Sequence, residues 1–112
     1  MPQAKLYNGS CAIGPIVTLP EAMPAPEKIE IKLVIERNKM SAFQGTTKLT
    51  EMARPLASLV EWLGRDNSFP HGVILLTGTG IVPPDDFALQ AGDNVSIEIT
   101  GVGKLTNPVV QG

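Results

Sequence analysis

Two stretches of the chain largely alternate between apolar and polar residues. From Lys28 to Arg37, Ile29, Ile31, Leu33 and Ile35 fall on one side, while Lys28, Glu30, Lys32 and Glu36 fall on the other. That two-residue period is the signature of a strand with one buried face. Val95, Ile97 and Ile99 alternate with Ser96, Glu98 and Thr100 in the same way. Asn38-Lys39 reads as the turn closing the first strand, and Gly92-Asp93-Asn94 as the turn opening the second. Between them the period changes. Met52, Leu56, Leu59, Val60 and Leu63 stand three and four apart, which predicts one amphipathic helix over residues 52–64. Pro55 belongs near its first turn, because deeper in a helix it would remove a hydrogen bond and clash. Thr50 is a candidate cap, Gly64 a candidate stop, and Trp62 falls at the rim of the apolar stripe.

The remaining signals are shorter. Lys5–Tyr7 and Ile13–Leu19, the latter broken by Pro15, read as brief strands, and Gly101 and Gly103 punctuate a last one around Leu105. Val73–Leu76 is an apolar run with the pattern of a buried strand leading to Thr77. The prolines of 20–26 indicate a linker or edge loop, Phe43–Lys48 reads as polar and flexible, and Asp85-Asp86-Phe87 as loop. The total is about five to seven strands and one helix, a single mainly β domain over residues 1–112.

Composition narrows the function classes. A net charge of −2 over 112 residues, with 18% charged, offers no basic surface for nucleic acid or anionic membrane. The aromatic residues, at 4%, are too scattered for base stacking. No apolar run approaches the roughly 20 residues of a spanning helix. The first residues lack the apolar core of a signal peptide, so Asn8-Gly9-Ser10 reads as a turn rather than a glycosylation site. One cysteine excludes an internal disulfide and fits a reducing, cytoplasmic compartment.

Candidate chemistry centres on Thr77-Gly78-Thr79-Gly80. Glycines around a threonine allow backbone conformations closed to larger residues, and successive N–H groups can converge into a concavity suited to an anion. A plain turn between strands is the competing reading. Lys5, beside Leu6 and Tyr7, sits on a short strand rather than on a charged face, although a lone lysine is usually solvated. Other groups read as structural. Asp85-Asp86 are neighbours that point apart in an extended loop, Asp93 is a turn former, and His71, between Pro70 and Gly72, reads as a surface turn residue, with a catalytic base as the competing reading. Cys11 and Ser10 have no activating base nearby in sequence, and Cys11 is expected to be a buried or half-buried small residue. No Glu-x-Glu pair exists in the chain. The residues alone therefore give a mainly β domain with one anion cradle and no complete catalytic set.

Taken together, Gln3-Ala4-Lys5-Leu6-Tyr7, Ala12-Ile13-Gly14-Pro15, Leu76-Thr77-Gly78-Thr79-Gly80, Gly92-Asp93 and Gly101-Val102-Gly103 with Leu105 and Asn107 resemble the C-terminal part of the fumarylacetoacetate hydrolase superfamily. The run TGTGIVPP with Phe43-Gln44-Gly45-Thr46-Thr47 is similar to the branch that dehydrates 2-keto-3-deoxy sugar acids. The resemblance implies a mixed β-roll and magnesium- or manganese-dependent chemistry on 2-oxo or 1,3-dicarbonyl acids: carbon–carbon hydrolysis, decarboxylation, isomerisation or dehydration. In such chemistry a cation polarises the oxo group and stabilises an enolate.

The resemblance further implies that Lys5 lies beside metal and substrate as the catalytic lysine. It implies that Thr79 meets the substrate's carboxylate or oxo end, with Thr77, Gly78 and Gly80 forming the backbone around it. The family's metal ligands, a Glu-x-Glu pair and a later aspartate, precede the lysine segment. The chain is therefore expected to correspond to the second half of a catalytic domain, to hold no metal tightly alone and to be inactive alone. It is expected to self-associate or to need a complementary N-terminal half. The alternative is a non-catalytic small-acid-binding or assembly module.

Overall fold

The structure, a computed structural model, describes residues 8–9, 11–51, 55–78 and 80–111. Its frame is one antiparallel sheet built from two hairpins. In the first, β1 (Glu30–Arg37) turns into β2 (Met40–Lys48) through Asn38 and Lys39, both left-handed with φ of 55° and 65°. Two left-handed central residues are the mark of the type I′ hairpin turn, whose twist matches that of the strands it joins. In the second, β3 (Asn94–Ile99) pairs with β4 (Gly103–Pro108). The hairpins join through β1 and β3, giving the order β2-β1-β3-β4.

Register turns the alternation in the sequence into two faces. Leu33 pairs with Gly45 on one side and Ile97 on the other, and Ile97 with Leu105. Ile35 pairs with Phe43 and Val95 in the same manner. Directly paired residues point to the same side, so these rows form one apolar face. Lys32, Glu98 and Lys104 form a row on the other face. Beside it the Ser96 and Thr106 hydroxyls share a 2.9 Å hydrogen bond.

The apolar face is thinly covered. Ile29, Ile35 and Ile81 are the buried hydrophobic residues among those described. Residues 80–87 lie over its β2 side. A Cβ on Gly45 would stand 2.9 Å from Ile81 Cγ2, and the Phe87 ring sits 5.9 Å from that of Phe43, tilted by 50°. Gly14 approaches Leu105 at the far side. A hollow of about 440 Å³ opens between β1, β3 and residues 82–89, lined by Leu33, Ile35, Val82, Phe87, Leu89 and Val95.

The mainly β fold with one helix is as expected, but several elements differ from the sequence reading. Residues 43–48 are not a flexible connection. They are the core of β2, where Phe43, Gly45 and Thr47 face inward and polar residues face out. The small inward residues hid the pattern, and they are small because residues 80 and 81 lie against them. Val73–Leu76 and Ile13–Leu19 form no ladder. Ile74 and Leu76 are more than half exposed, and so are Ile16 and Val17. Among the described residues the sheet has four strands, not five to seven. The prolines of 20–26 include a short 3-10 turn at Pro20–Ala22, and another lies at Pro26–Lys28.

The helix, α1, spans Leu56–Gly64 with Pro55 as its N-cap. Residues 52–54 lie outside the described residues, and Thr50 belongs to a 3-10 turn at Leu49–Glu51 rather than to a cap. Gly64 is the last helical residue, and Arg65 closes the end by donating its N–H to the Trp62 carbonyl. Trp62 is largely exposed beneath the Arg65 guanidinium, 4.1 Å from the ring centre. Cys11 is exposed, not buried. The expected strand at 5–7 and the residue Ser10 lie outside the described residues.

Candidate substrate-carboxylate site

Thr77, Gly78 and Gly80 are exposed and consecutive around Thr79, at the start of the segment laid over β2. The two glycines serve different ends. Gly78 has φ of +83° and open space where a side chain would stand, so its role is conformational and its flank is accessible. Gly80 has no left-handed angle. A Cβ there would stand 2.9 Å from Thr47 Oγ1 and 3.6 Å from Thr47 Cβ, so its role is to let the backbone touch β2. The segment is therefore open at Gly78 and seated on Thr47 at Gly80. Lys5 and Thr79, the two side chains assigned direct roles by the resemblance, lie outside the described residues.

Thr47 is itself held. It is buried, and its hydroxyl donates a 2.5 Å hydrogen bond to Glu51 Oε2. That hydroxyl, and secondarily the Lys48 backbone N–H, hold the Glu51 carboxyl below the usual carboxylate range. An ionised carboxylate accepting short bonds from O–H and N–H groups is the stronger kind of hydrogen-bonded pair. Neither residue stands out in the sequence. The usable signal was the period-two phase of Phe43, Gly45 and Thr47, which puts Thr47 on the covered face.

The far end of the covering segment is fixed by a different pair. Asp93 is fully buried, and both its oxygens accept bonds from Arg37, Oδ1 from Nε and Oδ2 from the terminal nitrogen, each at 2.9 Å. Oδ2 also accepts the Gln90 N–H at 2.9 Å. The same Arg37 donates to the Ala88 carbonyl and lies 5.4 Å from the Phe87 ring centre. Asp93 is thus more than the turn former the sequence suggests. Arg37 above all, then the Gln90 N–H, holds its carboxyl below the usual range.

Hard divalent cations require clustered oxygen ligands. Among the described residues no group of three or more His, Cys, Asp or Glu side chains could hold a metal ion. Asp93 is committed to Arg37, and Asp85 and Asp86 stand exposed in a turn. These residues do not fit magnesium or manganese. His71 is exposed in a turn, as expected. No helix among the described residues is long and apolar enough to cross a membrane.

A four-stranded sheet with a glycine turn seated on its edge strand defines a fold class, and comparison with known proteins identifies it. The chain belongs to the fumarylacetoacetate hydrolase family: the family described as fumarylacetoacetate (FAA) hydrolase C-terminal matches residues 1–110. It is 41% identical over 109 residues to a probable 2-keto-3-deoxyxylonate dehydratase of Haloferax volcanii, covering 97% of this chain and 38% of the relative. It is 38% identical over 109 residues to the 2-dehydro-3-deoxy-D-arabinonate dehydratase of Saccharolobus solfataricus, covering 97% and 37%. Its fold is similar to that of a hexagonal crystal form of 2-keto-3-deoxyarabinonate dehydratase, with a TM-score of 0.93, 38% identity, and coverage of 99% of this chain and 38% of that one. A structure of 2-keto-3-deoxy-D-arabinonate dehydratase complexed with magnesium and 2,5-dioxopentanoate gives a TM-score of 0.89 at 38% identity, covering 96% and 38%. The chain thus spans less than two fifths of the length of the relatives it matches.

Proposed function

We propose that this chain supplies the substrate-carboxylate side of a magnesium-dependent site that dehydrates 2-keto-3-deoxy sugar acids. The observation that carries the reading is the 77–80 turn, open at Gly78 and seated on Thr47 at Gly80, in a chain about two fifths identical to two dehydratases of that substrate class. Backbone N–H groups of the turn meet the acid's carboxylate, the Thr79 hydroxyl adds a bond, and the Lys5 ammonium lies beside the oxo group. The magnesium belongs to this reading through the relatives, and its ligands are not among the described residues.

The test has two parts. Alone, the chain shows no magnesium-dependent consumption of a 2-keto-3-deoxy sugar acid, and calorimetry with magnesium shows no binding with or without oxalate, an enolate mimic. Adding a polypeptide that carries the Glu-x-Glu half of a related dehydratase restores turnover. Failure of every such complement, with oxalate binding retained, would favour a metal-independent small-acid-binding module instead.

The open apolar face carries a second expectation. Leu33, Ile97 and Leu105 lie in one row beneath a partial cover, and Ile97 is 39% exposed. An apolar face of this kind is a contact surface. The chain therefore self-associates, or is covered by the complementing polypeptide. Sedimentation velocity over a concentration series checks this: the sedimentation coefficient rises with concentration, and a single concentration-independent monomer counts against it.

A further inference from the structure

Glu51 and Thr47 have no part in the expected set of site residues, yet together they link a carboxylate to the glycine segment through the contact of Thr47 with Gly80. We propose that they are positioning residues for the 77–80 cradle: Glu51 fixes the Thr47 hydroxyl, and the fixed hydroxyl sets the height of the Gly80 backbone above β2. The inference rests on the reading of that turn as the carboxylate-binding segment, and adds which residues determine its geometry.

Three observations support it. Thr47 faces inward from β2 and is buried, so its hydroxyl has few orientations and needs a partner. The partner is Glu51 Oε2 at 2.5 Å, four residues on and across the bend into the Leu49–Glu51 turn. With its proton committed to Glu51, Thr47 Oγ1 cannot rotate freely. That oxygen is the nearest atom to the space a Gly80 side chain would need, at 2.9 Å, with Cβ and Cγ2 of the same threonine at 3.6 and 3.7 Å. Threonine is β-branched and stiff about χ1, so the bond to Glu51 selects one rotamer, and that rotamer is the seat of Gly80. The neighbouring contact of Ile81 on Gly45 continues the same seat. A displacement of a few tenths of an ångström at Thr47 is thus passed directly to the Gly80 backbone and the Ile81 N–H that follows it.

The experiment separates this from the proposed function. Backbone amide shifts of residues 77–82 are recorded by NMR for the full chain and for Thr47→Val, Thr47→Ser, Glu51→Ala and Glu51→Gln, each with and without oxalate. Thr47→Val and Glu51→Ala move the Gly80 and Ile81 amides without ligand. Thr47→Ser, which keeps the hydroxyl, and Glu51→Gln, which keeps an acceptor, restore most of the wild-type positions. Where wild type binds oxalate, the first two variants weaken it about tenfold, because the segment that binds it is displaced. Wild-type-like amides at 80 and 81 in Glu51→Ala and Thr47→Val overturn the positioning role. So does a change in Thr47→Ser as large as that in Thr47→Val. If oxalate fails to bind wild type, the carboxylate-site reading fails, while the ligand-free amide shifts still decide the positioning role.

Discussion

Replacing Asp93 by alanine lowers the melting temperature of this chain by on the order of 10 °C, measured by calorimetry. The size follows from what the carboxylate holds. It is fully buried and receives two bonds from Arg37 and one from the Gln90 N–H. Alanine leaves the half-buried Arg37 guanidinium without its carboxylate and the Gln90 N–H without its acceptor, and removing the buried partner of an ion pair is among the costlier single changes. Asp93→Asn keeps the volume and one acceptor oxygen, and falls between the two.

Acid reaches the same contact without mutation. The carboxyl is held below the usual range, so its contribution is fully present above the ordinary aspartate value of about 4 and is lost as pH falls through the lower folded value. The melting temperature therefore drops on acidification below about pH 4, and that drop is smaller in Asp93→Asn. Glu51, shifted in the same direction, leaves a residual slope. A melting temperature for Asp93→Ala within about 2 °C of wild type would sink this account.

The second large effect is expected at Gly80. Gly80→Ala places a methyl group 2.9 Å from Thr47 Oγ1, and the threonine cannot swing away while Glu51 holds it. Overpacking of this kind costs about 1–3 kcal/mol, and the turn lifts off β2. Because the obstacle is one named atom, the effect can be assigned. In a Thr47→Ala background the nearest of these contacts that remains is the residue-47 Cβ at 3.6 Å, an ordinary van der Waals distance. Gly80→Ala then becomes nearly neutral, and a double-mutant cycle yields a coupling of about 1–2 kcal/mol. Denaturant unfolding of the four variants measures it, and additive effects would show that the contact is not what requires glycine. Gly78→Ala serves as the contrast, since nothing crowds that position. Its cost, about 1–2 kcal/mol, comes only from the positive φ and is unaffected by residue 47.

Legibility in the sequence followed the size of the side chains. Bulky alternating residues at 29–35 and 95–99 announced β1 and β3, and the three-four spacing at 56–63 announced α1. The edge strand β2 was hidden because its inward positions are Gly45 and Thr47, small so that another segment can lie on them. The apolar residues of 73–76 misled in the opposite sense. Hydrophobicity signals burial against something, and nothing among the described residues pairs with that run. The glycine turn was legible as a close-approach device, but the atom it approaches was not. Thr47 lies far from Gly80 in sequence, and only the hairpin register and the fold of residues 80–87 bring them together. The Arg37–Asp93 pair escaped for the same reason, since its members are 56 residues apart and each has an unremarkable local context.

That separation bears on how the sheet comes together. Each hairpin closes through a short turn, so its contacts form at little cost in chain entropy. The seam between β1 and β3 is different, because it must close the whole stretch that contains β2, α1 and the glycine turn. Loop closure grows slowly with length but falls on this one junction, and pairing across such distances is the slow part of assembling a β topology. Arg37 stands at the end of β1 and Asp93 immediately before β3, so their ion pair fastens the seam at its rim. The two-pronged bond from Arg37 fixes alignment once the seam closes, and a one-residue slip of β3 along β1 would carry the Asp93 carboxylate out of reach. The pair therefore acts as a register pin for the junction on which the sheet, and the seat of the glycine turn upon it, depends.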